Sequence, residues 1–250
     1  MAAVAPPRIH GAGQRESAWR ASPWLAALDE RPAAHLLQGR RRIVLLSPHP
    51  DDETLACGGL LRAASQAGLD IHLVAVTDGE ACYPGDAAWT PERLRDVRPR
   101  EVAQAFDALG VRAQVQRLGL PDGGVGDHGH ALEAALRSLL QPGDLVLAPW
   151  EQDGHPDHDA VGSAALAVAQ PGTRLLRYPV WAWHWLSPHT RRAPFDAFRM
   201  PLTPETVALK QRAIACFASQ LQSDAPCAPA PILPPHVVQR FHRPFEVYLP

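Results

Sequence analysis

Two short segments of the chain place imidazole and carboxylate groups at spacings that suit a metal ion. The first reads Ser-Pro-His-Pro-Asp-Asp-Glu at residues 47–53, where His49 and Asp52 lie three positions apart. The second reads Glu-Gln-Asp-Gly-His-Pro-Asp-His at residues 151–158 and ends in His158. Zinc takes nitrogen and oxygen ligands in a tetrahedron, and a catalytic zinc keeps one position for water. His49, Asp52 and His158 would supply the other three ligands.

The remaining polar residues of the two segments have the chemistry that a zinc-bound water requires. Bound zinc lowers the pKa of water to about 7 and polarises a substrate carbonyl. Asp51, which adjoins a ligand and is itself left free, would act as the general base. His155 lies three residues before His158 and would face the same cavity, with Asp157 holding its ring. Together these roles describe the attack of water on a carbonyl carbon.

Helix capping is the structural explanation for the same carboxylates. Asp51, Asp52 or Asp157 would then accept backbone N–H bonds at the start of a helix, and Asp157 is compatible with both roles. Glu53 is interpreted as a structural carboxylate in a first helical turn. A single His-x-x-Asp loop is common by chance, whereas two such loops after adjacent strands favour a metal site.

The order of predicted strands and helices brings the two segments together. Short apolar runs predict strands at residues 42–46, 71–76, 113–118, 145–148 and 174–178. Helices are predicted at residues 54–68, 91–109, 130–140 and 159–170. This alternation predicts an α/β fold with a mostly parallel sheet and helices on both faces. In the strand order 3-2-1-4-5, the first and fourth strands are neighbours at the topological switch point, and the two His/Asp segments follow those strands.

The two ends of the chain show weaker patterns. Residues 1–39 are rich in Ala, Pro and Arg and are predicted to form an N-terminal extension, whereas residues 40–250 are predicted to form a single domain. A short helix around Trp19 and Trp24 is interpreted as an arm packed on the domain surface. Residues 204–221 are predicted to form one helix.

Composition and charge restrict the class of protein. The 250-residue chain is 46% hydrophobic, and its formal net charge of −2 offers no basic field for nucleic acid or anionic lipid. No apolar run is typical of a signal peptide or of a membrane span. The four cysteines show no C-x-x-C spacing and favour a reducing compartment. We therefore expect a cytoplasmic protein without an integral membrane segment or a nucleic-acid partner.

Taken together, the motifs resemble those of the LmbE-like, or PIG-L, zinc-dependent de-N-acetylases. The resemblance rests on Ser-Pro-His-Pro-Asp-Asp-Glu-Thr-Leu-Ala-Cys-Gly-Gly at residues 47–59 and on Gly-His-Pro-Asp-His at residues 154–158. It continues through Thr-Asp-Gly-Glu at 77–80 and Leu-Gly-Leu-Pro-Asp at 118–122, and it covers about residues 41–185. It implies a Rossmann-like fold and the hydrolysis of an N-acyl group from an amino sugar or glycoconjugate.

Matched residue by residue, the resemblance implies specific roles for six side chains. It implies that Asp51 is the general base, that His155 stabilises the oxyanion, and that Asp157 orients His155. It implies zinc on three ligands, namely His49, Asp52 and His158.

The resemblance also bears on residues around this centre. An arginine in the second helix can contact substrate in the family, and Arg98 fits that place. The chain departs from many relatives at Pro48, where they have alanine, and at Asp153, where some have a tyrosine that enters the site. The tryptophans of residues 181–185 are interpreted as a buried aromatic cluster, whereas His184 among them could donate to substrate.

Two readings from other classes stay open. One is a zinc-dependent amidase acting on a non-sugar amide, and the other is a Rossmann-like binding module without catalysis. The second has little support, because no G-x-G-x-x-G follows the first strand. For the favoured reading we expect Zn²⁺ as cofactor, a small N-acyl amino sugar or glycoconjugate as partner, and a possible homo-oligomer.

Overall fold

The computed structural model describes residues 9, 11–222 and 230–250 of the chain. Within them, eight strands build two sheets. The strands are β1 (Asp29–Glu30), β2 (Arg42–Ser47), β3 (Asp70–Ala75), β4 (Gln114–Arg117), β5 (Leu145–Pro149), β6 (Arg174–Tyr178), β7 (Phe198–Pro201) and β8 (Phe245–Tyr248). Cys227 lies outside the described residues.

The five-stranded sheet has the strand order β4-β3-β2-β5-β6, and every neighbouring pair is parallel. In the register of this sheet, Ile43 of β2 stands beside Ile71 of β3 on one side and Leu145 of β5 on the other. The predicted parallel α/β fold and its order are therefore confirmed. Because β2 and β5 are neighbours, the segments that follow them leave the sheet at the same edge.

Helices cover both faces of this sheet, as predicted. The described residues include α1 (Glu16–Arg20), α2 (Pro23–Ala26), α3 (Ala33–Leu37), α4 (Asp52–Gln66), α5 (Pro91–Leu109), α6 (Gly129–Leu139), α7 (Pro156–Val168), α8 (Ala182–Trp185), α9 (Pro204–Ile214), α10 (Ala218–Leu221) and α11 (Pro235–Val238). Two 3₁₀ turns span Val125–His128 and Gln239–Phe241. None of the helices in the described ranges is both long and apolar enough to cross a membrane.

One predicted helix is interrupted. Residues 204–221 form α9 and α10, with a break before Ala218. At the break Phe217 adopts φ −81° and ψ 59°, which is not helical, and its side chain is fully buried. The burial of this aromatic ring in the core accounts for a break that helical periodicity does not reveal.

Alternate residues of β2 enter two separate cores. Ile43 and Leu45 pack in the larger core, which contains side chains from α4 and α5. Val44 and Leu46 pack on the opposite face in a smaller core with side chains from α6 and α7. This alternation follows from the two-residue period of a strand. It explains why residues 43–46 of β2 are all apolar and all buried.

A second sheet, which the sequence analysis did not predict, holds α4 from its far side. It has the order β1-β7-β8, with β7 and β8 antiparallel. Glu246 of β8 accepts N–H bonds from Gly59 (2.7 Å) and Leu60 (3.0 Å) within α4 and pairs with Lys210 at 2.6 Å. A Cβ at Gly59 would lie 2.4 Å from Leu202 Cδ2 and 3.1 Å from Glu246 Oε1, so a larger residue would displace these two side chains. The helix that begins at Asp52 is therefore fixed at mid-length.

The N-terminal segment is not the surface arm that the sequence suggested. Trp19 and Trp24 are 1% and 2% exposed and belong to the larger core. The Trp19 ring packs edge-on against Trp183 at 5.0 Å, and its Nε1 donates to the Trp183 carbonyl. Glu16 pairs with Arg243 at 2.7 Å in the same buried region. These contacts could not be predicted from the local sequence, because the partners lie more than 160 residues away along the chain.

Candidate metal centre and active site

The loop between β2 and α4 is held in an unusual conformation by buried hydrogen bonds. Asp51 has φ 152° and ψ −30°, and it is the one non-glycine residue with positive φ in the described part of the chain. Its N–H donates to Glu53 Oε2 at 3.1 Å, and Glu53 lies 2.9 Å from Ser47 Oγ. Glu53 is fully buried, as expected of a structural carboxylate. Strained backbone of this kind is concentrated at functional sites.

Three ligand-type atoms from the two predicted segments form a nearly equilateral triangle. His49 Nδ1 lies 3.3 Å from His158 Nε2 and 3.4 Å from Asp52 Oδ2, and the last two atoms are 3.2 Å apart. Ligands held at zinc-like distances in a tetrahedron stand about 3.3–3.5 Å from one another. The triangle therefore fits a small divalent cation. His155 and His158 also form a candidate metal group with His49.

Each imidazole of the triangle turns its other nitrogen to a carboxylate. His49 Nε2 lies 3.1 Å from Asp157 Oδ2 and 3.2 Å from Asp122 Oδ1. His158 Nδ1 lies 2.9 Å from Asp153 Oδ2. Metal-binding histidines typically have such a partner, which fixes the tautomer and the ring orientation. Against the opposing effect of burial, Asp52 and Asp153 raise the pKa of His158 to about 9.

Asp157 does not orient His155 as predicted. Its carboxylate accepts N–H bonds from Gly123 (2.7 Å) and Val125 (3.1 Å) and faces His49 instead. The contact with His155 runs through the backbone, because the Asp157 N–H donates to His155 Nδ1 at 3.2 Å. His155, and not Asp157, is thus the N-cap of α7. The Asp157 carboxylate therefore contacts the His49 ring and not the His155 ring.

The capping bond also determines which nitrogen of His155 carries a proton. Since Nδ1 accepts from a backbone N–H, the proton of the neutral ring belongs on Nε2. Burial, together with His49 and His158, lowers the pKa of His155 to about 3. Its ring centroid lies 4.7 Å from that of His49, and it lines the same cavity. The geometry therefore favours a neutral imidazole donor over a protonated one.

Asp51 faces the cavity beside the triangle and is not a capping side chain. Its carboxylate makes no capping hydrogen bond to α4, whereas Asp52 Oδ2 accepts the His49 N–H at 3.0 Å. Burial raises the pKa of Asp51 to about 8, although Arg98 opposes the shift. A cation on the adjacent triangle would favour the ionised carboxylate. A carboxylate in this position can accept a proton from water at neutral pH.

Arg98 lies at the cavity but is largely engaged with the protein. Nη2 donates to the Pro50 carbonyl (2.7 Å) and to Asp51 Oδ2 (3.1 Å), and Nη1 donates to the Gly79 carbonyl (2.9 Å). The side chain is 2% exposed. Nε has no hydrogen-bond partner among the described residues. The contacts favour a role in positioning Asp51 over the predicted contact with substrate, for which Nε–H and one N–H of Nη1 would remain.

His184 is separated from the other predicted site residues. It is 5% exposed, its ring lies 3.4 Å from Arg240 Nη1, and a Cβ at Gly13 would approach the ring to 2.5 Å. It is absent from the described residues that line the cavity. Of the neighbouring tryptophans, Trp183 is buried in the core as expected, whereas Trp181 lines the cavity. The geometry thus gives no support to the predicted substrate contact of His184.

Two acidic residues that were not predicted to belong to the centre, Asp122 and Asp153, contact its histidines. Asp122, in the Leu-Gly-Leu-Pro-Asp segment, approaches His49. Asp153 is fully buried and, besides contacting His158, accepts the N–H groups of Val180 and Trp181 at 2.9 and 2.8 Å. The place of Asp122 in the Leu-Gly-Leu-Pro-Asp motif could have identified it as a candidate site residue. Asp153 had no such signal, because Val180 and Trp181 follow β6 and are more than 25 residues away in sequence.

Comparisons with known proteins match the part of the chain that contains these site residues. The family model described as PIG-L, GlcNAc-PI de-N-acetylase, matches residues 44–169. The chain is 32% identical over 170 residues to a 1D-myo-inositol 2-acetamido-2-deoxy-alpha-D-glucopyranoside deacetylase of Nakamurella multipartita, over 54% of this chain and 58% of the relative. It is 30% identical over 172 residues to the 2'-N-acetylparomamine deacetylase of Streptomyces fradiae, over 62% of each. The chain thus spans about three fifths of the length of these two relatives.

A solved structure agrees with the fold. The crystal structure of a conserved protein from Thermus thermophilus superposes with a TM-score of 0.53 at 30% identity, covering 71% of this chain and 79% of that one. The matched segment 44–169 runs from β2 through α7 and so contains the triangle, Asp51 and His155. Because the family model spans half of the chain and includes both His/Asp segments, the chain belongs to the PIG-L family.

Proposed function

We propose that this protein is a zinc-dependent hydrolase that removes an N-acetyl group from an amino sugar or its conjugate. The observation that carries the proposal is the triangle of His49 Nδ1, Asp52 Oδ2 and His158 Nε2, with edges of 3.2–3.4 Å, at a cavity that Asp51 and His155 also line. Family membership and the names of the two relatives, both deacetylases of amino-sugar compounds, support the reaction type.

The donor set fits zinc by chemistry as well as by spacing. Two imidazoles and one carboxylate are ligands that zinc accepts, and three protein ligands leave a position for water. When bound, zinc would lower the pKa of water to about 7 and polarise the amide carbonyl. His49, Asp52 and His158 would hold the ion. Asp157, Asp122 and Asp153 would keep the two rings in place.

Asp51 would remove the proton from the attacking water. One carboxylate oxygen of Asp51, Oδ2, accepts a hydrogen bond from Arg98. The guanidinium thus fixes the direction of the carboxylate and leaves the other oxygen for the water. The strained backbone at Asp51 is stabilised by the hydrogen bond to Glu53 and by the Arg98 bond to the Pro50 carbonyl. After attack, the same acid would return the proton to the leaving amine.

His155 would stabilise the developing negative charge on the amide oxygen. Because Nδ1 is held by the backbone of α7, Nε2–H has a fixed direction and needs no reorganisation during the reaction. A neutral ring is sufficient for this donation. The same ring would therefore cap α7 through Nδ1 and donate to the amide oxygen through Nε2.

His155→Ser should lower kcat by about 10²–10³ with a smaller effect on KM, because it removes an oxyanion donor. Serine is a good N-cap, so this variant preserves the start of α7, which His155→Ala would not. Steady-state kinetics on the zinc-loaded enzyme make the test. If His155→Ser retained wild-type kcat while His155→Ala lost stability, the side chain would serve only as a helix cap.

The substrate class is tested by direct turnover. We expect zinc-loaded protein to release amine from N-acetylglucosamine, its glycosides or its phosphorylated forms, and chelator-treated protein to release none. Acetyl-lysine peptides serve as the non-sugar control. Release of amine from these peptides, with no turnover of any acetamido sugar, would contradict the sugar assignment and favour a non-sugar amidase.

A further inference from the structure

The cavity at the candidate centre has two parts that differ in chemistry. It encloses about 370 Å³. One part carries the imidazole and carboxylate groups and comes from within residues 44–169, the segment that matches the family model. The other part comes from outside that segment, and apart from Gln220 its described members are hydrophobic. We call these the apolar wall: Ile9, Val180, Trp181, Ile232 and Leu233.

The polar groups next to the apolar wall make most of their hydrogen bonds within the protein, and Arg98 Nε is the exception among the described residues. Gln220 donates through Nε2 to Ser219 Oγ at 3.0 Å and approaches Cys82 Sγ at 3.7 Å. Arg98 uses both Nη atoms within the protein. The lining residues in the described part of the chain include no lysine and no second arginine. The wall therefore offers little to a phosphate or to a group rich in hydroxyls.

Hydrogen bonds hold the segments that carry the apolar wall from several directions. Asp153 accepts the N–H groups of Val180 and Trp181, and the Leu233 N–H donates to the Gln220 carbonyl at 2.9 Å. The segment beyond Ile9 is fixed by Arg240, which donates to two backbone carbonyls of residues 12 and 14. The wall is thus pre-formed, as ligand pockets usually are.

Solvation energetics favour an apolar occupant for this wall. Each methylene moved from water into an apolar site contributes about fourfold to affinity. A hydroxyl buried there without a hydrogen-bond partner would instead lose affinity, because its hydration is not replaced. Trp181 also stacks on His155, with ring centroids 6.3 Å apart, so the wall begins next to the reacting groups.

We propose that the apolar wall binds an alkyl chain of the substrate, carried either on the glycosidic oxygen or on the N-acyl group of the amino sugar. This inference rests on the function proposed above and specifies its substrate class. The wall lines the same cavity as Asp51 and His155. We therefore place the alkyl chain on the molecule that is hydrolysed and not on a separate ligand. The two attachment points share one recognition chemistry and differ only in which bond bears the chain.

Binding measurements on zinc-loaded protein test this independently of turnover. One series compares methyl, butyl and octyl β-glucosides, and the other compares acetate, butyrate and octanoate, all below their critical micelle concentrations. We expect the eight-carbon ligand to bind at least about tenfold more tightly than the shortest one in one of the series, and that series identifies the attachment point. Equal affinities throughout both series would overturn the proposal, whether or not acetamido sugars are hydrolysed.

Variants show whether the alkyl group binds at this wall. Ile232→Ser and Ile9→Ser, both at partly exposed positions, should each reduce the gain from chain length severalfold. Val115→Ser, at a 53% exposed position on β4, is the matched control and should retain the full gain. Unfolding midpoints and zinc content establish that each variant is folded. If both wall variants kept the wild-type gain, the alkyl chain would bind elsewhere and the proposal would be wrong. Loss of amine release from every sugar, with the chain-length gain intact, would instead reject the proposed reaction and leave the wall as an alkyl site.

Discussion

Asp51→Asn should lower kcat by about 10²–10⁴ while the protein keeps its full complement of zinc. The amide oxygen of asparagine can still accept the Arg98 hydrogen bond now made at 3.1 Å, so the loop should keep its shape. The amide cannot accept a proton from water. The measurements are steady-state kinetics with an acetamido sugar and metal analysis of the same sample.

Asp107→Asn, at an exposed position in α5, is the matched control for the loss of one carboxylate. It should behave like wild type in both measurements. Near-normal turnover by Asp51→Asn would remove the residue from the mechanism. Loss of zinc together with activity would assign Asp51 to metal binding instead.

His158→Ala should abolish stoichiometric zinc binding. Loss of a mere outer partner of a metal-binding histidine weakens affinity by about 10–100-fold, so loss of a ligand should cost more than about 100-fold. His158 lies in α7 and is fully buried between Asp52 and Asp153. Its removal leaves both carboxylates without their cation, and the variant is therefore expected to be less stable as well.

The effect on stability makes a second ligand variant necessary. His49 is 9% exposed and lies on a loop, so His49→Ala should lose zinc with a smaller effect on the unfolding midpoint. His130→Ala, at an exposed position in α6, is the control for removing an imidazole. Wild-type zinc content in folded His49→Ala and His158→Ala would show that the ligand set is wrong.

Local patterns in the sequence were sufficient for the central sheet. The apolar runs of β2 and β5 are buried on both faces, and those of β3 and β6 are buried in part, so each was recognisable without its neighbours. The chirality and order rules for parallel sheets then placed β2 beside β5. That adjacency is why the sequence alone brought the two His/Asp segments to one edge. Strands β7 and β8 were missed, because each has only four residues and pairs across more than 40 residues of chain.

The sequence by itself determined which residue types meet at the centre, because His49 and Asp52 are neighbours along the chain and His158 follows an adjacent strand. Only the tertiary structure decided what each side chain faces. Asp157 turned out to contact His49, since the direction of a side chain at a helix start depends on the loop packed against it. His184 was separated from the cavity by the packing of distant segments at Gly13 and Arg240. Such contacts are set by the packing of surfaces far apart in sequence, and no local spacing encodes them.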